Sequence, residues 1–272
     1  MEKPLAADRV KRAGRGPSLL PREHGAYAQL GFPLLTALAL GDLRLAPLLL
    51  VVGIIATFLV HEPVMVLSGG RGGRAKREGG DRARRRGATL VSAAVIAGLS
   101  GLWLAPPLAR YSAVFPIALG LLLAPLTLNR QEKTLIGELL AAVTLSSTMI
   151  PVALAGGAGV FETLVAFVVW SVVFSLGTIT VRAIIARAKK ATQPYRAVHL
   201  APMLSAIAIA IALGLAIGSD VPPLAAVAVV PTAFAALIFG LLGIHPRNLR
   251  RLGWSLVASN VFVLAALLIG LA

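Results

Sequence analysis

The sequence predicts an all-α polytopic membrane protein with about nine transmembrane helices. Three observations carry that prediction. Of the 272 residues, 57% are hydrophobic and only 14% charged, with a mean hydropathy of +0.85. Soluble domains need about a quarter charged residues to coat their surface, so this composition does not suit a water-soluble globule. Nine spans of roughly 20 residues each use about 180 residues, which leaves room for connections and ends but not for a separate soluble domain. Finally, 24 of the 26 Lys and Arg residues fall on one side of a nine-span chain, a parity that a miscounted helix would scramble.

Apolar runs between charges and Pro/Gly breaks place the helices at 24–41, 45–67, 88–107, 111–128, 134–155, 161–184, 199–218, 222–243 and 253–271. Residues 1–22 read as a basic tail with six Lys/Arg, and 23–272 as a single transmembrane helical domain. The 69–87 connection, with eight Lys/Arg, reads as a Gly/Arg low-complexity basic loop without regular structure. Two basic residues follow helix four (Arg130, Lys133), five follow helix six and three follow helix eight, whereas only Arg44 and Arg110 lie opposite. The positive-inside rule therefore predicts a cytoplasmic amino terminus and an outside carboxyl terminus. The +15 net charge follows from this topology and from contact with anionic lipid headgroups, with no need for nucleic acid. Basic residues ahead of an apolar stretch ending near Ala37 and Ala39 have the form of a signal peptide, but Pro33 and the polar start at His24 favour a retained helix.

With no cysteine, the chain has no disulfide, thiolate metal site, iron–sulfur cluster or cysteine nucleophile. Polar residues at membrane depth are costly and ask for a reason. His24 begins helix one, His61 and Glu62 lie near the end of helix two, His199 begins helix seven and His245 ends helix eight. No two histidines stand at i, i+3 or i, i+4, so no metal site is predicted. Glu138 lies about one turn inside helix five, ahead of Thr144, Ser146, Ser147 and Thr148, and Arg182 lies near the end of helix six. Their matching depths predict an ion pair too deep for easy hydration. With Asn129 and Asn260, about two turns into helix nine, these residues define an expected ligand-binding cavity open to the cytoplasm: His24, His61, Glu62, Asn129, Glu138, Arg182, His199 and Asn260. P-loop, nucleophile-elbow, His-Glu-x-x-His and dinucleotide motifs are missing, and Pro63 is expected to bend or end helix two.

The segment Pro21-Arg22-Glu23-His24-Gly25-Ala26-Tyr27-Ala28 ahead of an apolar helix resembles the start of YwiC-like integral membrane proteins. Asn129, Glu138 in Leu135-Ile136-Gly137-Glu138, Gly177-Thr178, Val181-Arg182, Tyr195-Arg196, His199, Pro246 and Arg251-Leu252-Gly253 toward Asn260 extend the resemblance along the chain. It implies a location in the bacterial inner (plasma) membrane and no defined activity. A wider resemblance is to the UbiA-type prenyltransferase fold, which implies a nine-helix bundle with a cytoplasmic site binding a prenyl diphosphate through magnesium. At the corresponding positions this chain has His61-Glu62-Pro63-Val64-Met65 and Val181-Arg182-Ala183-Ile184-Ile185, not Asp-rich segments. Magnesium is thus implied only if the chain is an enzyme acting on an isoprenoid or lipid. The expected function is binding or carrying an amphipathic, anionic lipid-like ligand. The alternatives are that enzyme or a small-solute transporter, against which the odd span number and lack of an inverted repeat count.

Overall fold

The computed structural model describes residues 19–21, 24–129, 131, 133–188, 195–242 and 249–271, and among them regular structure is helical throughout. The elements are α1 (His24–Leu40), α2 (Leu45–Leu67), α3 (Gly73–Leu104), α4 (Pro107–Ser112), α5 (Val114–Leu128), α6 (Leu135–Ser147) and α7 (Met149–Ala155). They continue with α8 (Val160–Ala188), α9 (Tyr195–Gly218), α10 (Pro223–Ala226), a 3₁₀ turn (Val227–Val229), α11 (Val230–Leu242) and α12 (Leu249–Leu271). Among the described residues, eight helical segments are long and apolar enough to cross a membrane, with Gly25–Leu40 a shorter apolar ninth. The chain is an all-α polytopic membrane protein.

Three predicted helices are broken, and proline explains each break. Proline has no N–H to give to the carbonyl four residues back. Pro116 stands four residues after Ser112, the end of α4; Pro151 stands four after Ser147, the end of α6; Pro231 stands four after Val227, where the 3₁₀ turn begins. Pro63 does not end its helix: α2 covers Leu45–Leu67, the range expected from the sequence, and is closed by a turn with Gly69 at φ 80° and Gly72 at φ 95°. Both values lie in the left-handed region that glycine tolerates.

The largest departure from expectation is the 69–87 segment. Instead of a loop, everything from Gly73 onward is helical, and α3 has 32 residues. At 1.5 Å per residue it is about 48 Å long, well beyond a hydrocarbon core of about 30 Å. Gly79, Ala83 and Gly87 are buried at four-residue spacing, and Ala83 forms a small apolar cluster with Val66 and Leu19 against the end of α2. The composition disguised this, because arginines cover the remaining faces while small residues form the seam. Farther along, a Cβ on Gly53 would sit 2.9 Å from the Gly98 nitrogen, and one on Gly101 2.9 Å from the Leu50 nitrogen, so the α2 and α3 backbones nearly touch.

The core lies around α8, which packs against α1, α6, α7, α9, α11 and α12. All seven residues of α7 are buried. Trp170 of α8 is fully buried between Phe32 and Phe174, with ring centroids 5.5 and 5.3 Å away, and its Nε1–H donates to Thr36 Oγ1 at 2.9 Å. By contrast α5 buries none of its residues and exposes Leu121, Leu122 and Leu128, as a lipid-facing helix does. Arg44 and Arg110 sit at one end of the bundle, while Arg71 to Arg86, Lys133, Arg182 and Arg187 sit at the other, so the segregation expected from the sequence is carried by the antiparallel packing.

Candidate functional site

At the basic end a cavity of about 750 Å³ runs into the bundle. Its mouth is formed by Pro21, Gly25, Ala26, His61, Arg71, Lys133 and Glu138. Its walls are Phe58 of α2, Leu123 and Thr127 of α5, Ala141 and Leu145 of α6, and Val173, Phe174, Gly177, Thr178 and Val181 of α8. Thr232 of α11 and Leu256, Val257 and Asn260 of α12 complete the lining. The amino-terminal segment is held over the mouth by the Tyr27 hydroxyl, which donates to the Pro21 carbonyl at 3.1 Å, and by the Tyr27 ring edge against Phe58 at 5.2 Å. Several residues that carry the family resemblance therefore meet here: Pro21, Gly25, Ala26, Ala28, Glu138, Gly177, Thr178, Gly253 and Asn260.

Two carboxylate–arginine pairs frame the mouth. The expected pair forms, with Arg182 Nε 2.9 Å from Glu138 Oε2, and a second guanidinium nitrogen of Arg182 donates to the Lys133 carbonyl. It is not the deep pair the sequence suggested: 29% of the Arg182 side chain and 35% of the Glu138 side chain are exposed. The geometry explains both facts, since each residue projects from the first turns at the basic end toward the open mouth. The buried pair is another one. The 68–72 turn folds Arg71 back over α2, where Nε donates to Glu62 Oε1 at 2.8 Å and Nη2 to Glu62 Oε2 at 2.6 Å, with Glu62 fully buried. A bidentate fork of this kind fixes the guanidinium plane at the cavity wall.

Of the expected site residues, His61, Glu138 and Asn260 line the cavity, and Arg182 joins it through Glu138. Glu62 lies behind Arg71. Asn129 caps α5 with its backbone N–H on the Pro125 carbonyl and is exposed outside the cavity, and His199 is exposed on α9, also outside it. The His24 and His245 side chains fall outside the described residues. Asn260 is deeper than expected, because α12 begins at Leu249 and places it three turns in. Sequence reasoning missed Arg71, absorbed into a low-complexity run, and Gln29, Lys133 and Thr232. Thr232 had a usable signal, as a polar residue in the middle of an apolar span.

The magnesium implied by the wider resemblance does not fit these residues. A hard cation needs several carboxylate or carbonyl oxygens. Both Glu62 oxygens are held by Arg71, Glu138 is held by Arg182, and no group of three His, Asp or Glu that could hold a metal occurs among the described residues. What the arrangement offers chemically is a mouth rich in cationic donors above an apolar shaft.

Comparison with known proteins gives no match among solved structures and none among curated proteins. The family model described as YwiC-like protein matches residues 20–154, from the segment over the cavity mouth through the whole of α6 and nearly all of α7. The chain belongs to the YwiC-like protein family.

Proposed function

We propose that this membrane protein binds or carries an amphipathic, anionic lipid-like ligand in the cavity, head toward the mouth and chain in the shaft, with the mouth facing the cytoplasm. The observation that carries this reading is continuity. One cavity joins His61, Arg71 and Lys133 at its mouth to Leu145, Val173 and Phe174 in its interior. Since Glu62 and Glu138 each hold an arginine, Lys133 leaves the described mouth residues with net positive charge. An apolar shaft favours a hydrocarbon chain by roughly 25 cal/mol per Å² buried, and a cation near the headgroup level adds about 1 kcal/mol for an anionic head.

Titration of oleate and of oleyl alcohol into the protein in phosphatidylcholine nanodiscs separates head from chain. Oleate is expected to bind more tightly, and Lys133→Gln is expected to weaken oleate about fivefold with little change for the alcohol. Equal affinity for both ligands, or oleate binding indifferent to both Lys133→Gln and Arg182→Gln, would contradict the reading.

A further inference from the structure

The deep end of the cavity carries polar groups that no described residue satisfies. Buried hydroxyls in this bundle normally turn back on their own helix: Thr36, Thr144, Thr163, Thr180 and Ser205 each donate to the carbonyl four residues earlier. Thr232 does not. Four residues before it lies Ala228, inside the 3₁₀ turn that accompanies Pro231, where the α-helical register is lost. Its Oγ1 is buried without a partner, and of the buried unpartnered hydroxyls among the described residues (Ser146, Ser171, Thr232) it alone belongs to the cavity lining. Asn260, 5% exposed, lines the same cavity and its amide makes no hydrogen bond among the described residues.

The depth of this group follows from helix register. α8 and α12 run antiparallel, and a Cβ on Gly177 would sit 3.9 Å from Leu256 Cδ1, which levels those two residues. Arg182 lies five residues from Gly177 toward the mouth, and Asn260 four residues from Leu256 in the opposite direction, so the two are separated by about 14 Å along the bundle. Leu145, Val173 and Phe174 surround that depth without a charge. A ligand group placed there must therefore be neutral and able to hydrogen bond. Leaving a buried hydroxyl unpaired is unfavourable, and such a group would recover that loss on binding.

We propose that Thr232 and Asn260 form a second, uncharged subsite, and that the ligand is a single-chain amphiphile bearing a hydroxyl or carbonyl partway along its tail, about 14 Å from its anionic head. This rests on the anionic-head reading above, which it deepens by naming the ligand class.

Ricinoleate and oleate differ by one mid-chain hydroxyl and supply the test in the same nanodiscs. The wild type is expected to bind ricinoleate about fivefold more tightly than oleate. That preference should fall to within roughly twofold of unity in Thr232→Val combined with Asn260→Leu, and should persist in Thr232→Ser, which keeps the hydroxyl. Equal affinity in the wild type, as water filling the subsite would produce, overturns the proposal, and so does a preference that survives the double variant. If neither fatty acid binds, the anionic-head reading fails and takes this one with it. Equal binding that still weakens with Lys133→Gln leaves that reading standing and removes the subsite alone.

Discussion

Glu62→Gln is expected to destabilise the protein by about 3–5 kcal/mol, because it strands the Arg71 guanidinium against a buried wall. Both Glu62 oxygens are engaged at 2.6 and 2.8 Å, and no part of the Glu62 side chain is exposed. Arg71→Met strands the carboxylate in turn and should cost a similar amount, while Glu62→Leu with Arg71→Met removes both charges and should recover most of the loss. The Glu138–Arg182 pair is the internal control. With about a third of each side chain exposed, its single removals should cost no more than about 1 kcal/mol. Thermal unfolding in detergent of the two sets reads the difference; equal losses in both sets would contradict the burial assigned to Glu62.

Trp170→Ala is expected to have the second large effect, about 3–5 kcal/mol, since it empties a fully buried indole site. It also removes the ring that stacks on Phe174, a cavity-lining residue, and the Nε1–H bond to Thr36. Trp170→Phe keeps a ring in the stack and should cost visibly less. The same unfolding measurement in detergent, together with oleate titration, checks both consequences: Trp170→Ala should lower stability and loosen oleate binding together. A loss under about 1 kcal/mol would mean the stack is not what supports the cavity floor.

The spans were legible in the sequence because length, hydropathy and the two-sided charge pattern each constrain the same count. The proline breaks were legible in principle: Pro116, Pro151 and Pro231 each mark a break four residues earlier. Pro63 shows why the rule is not sufficient, since packing of Pro63, Met65 and Val66 keeps α2 going to Leu67. The 69–87 helix was hidden because its buried seam is glycine and alanine, residues that carry no apolar signal, while its arginines dominate the composition.

In the site, the Glu138–Arg182 pair could be foreseen from matching depths on two antiparallel helices. The Glu62–Arg71 pair could not, because it depends on a five-residue turn reversing the chain, and turn geometry at Gly69 and Gly72 is not a matter of spacing. Asn129 and His199 lie at the same end of the bundle but are exposed and outside the cavity lining, since sequence depth says nothing about rotation around a helix axis.

If the cavity holds the anionic amphiphile proposed above, lipid analysis of the purified protein detects it. Ala141 lines the cavity from α6, so Ala141→Trp should fill the shaft while leaving both mouth ion pairs in place. Native mass spectrometry of the wild type in mild detergent should detect an anionic single-chain amphiphile retained by the protein, and Ala141→Trp of equal thermal stability should have lost it. An identical complement of bound lipid in the two proteins, or none in the wild type, would contradict the account.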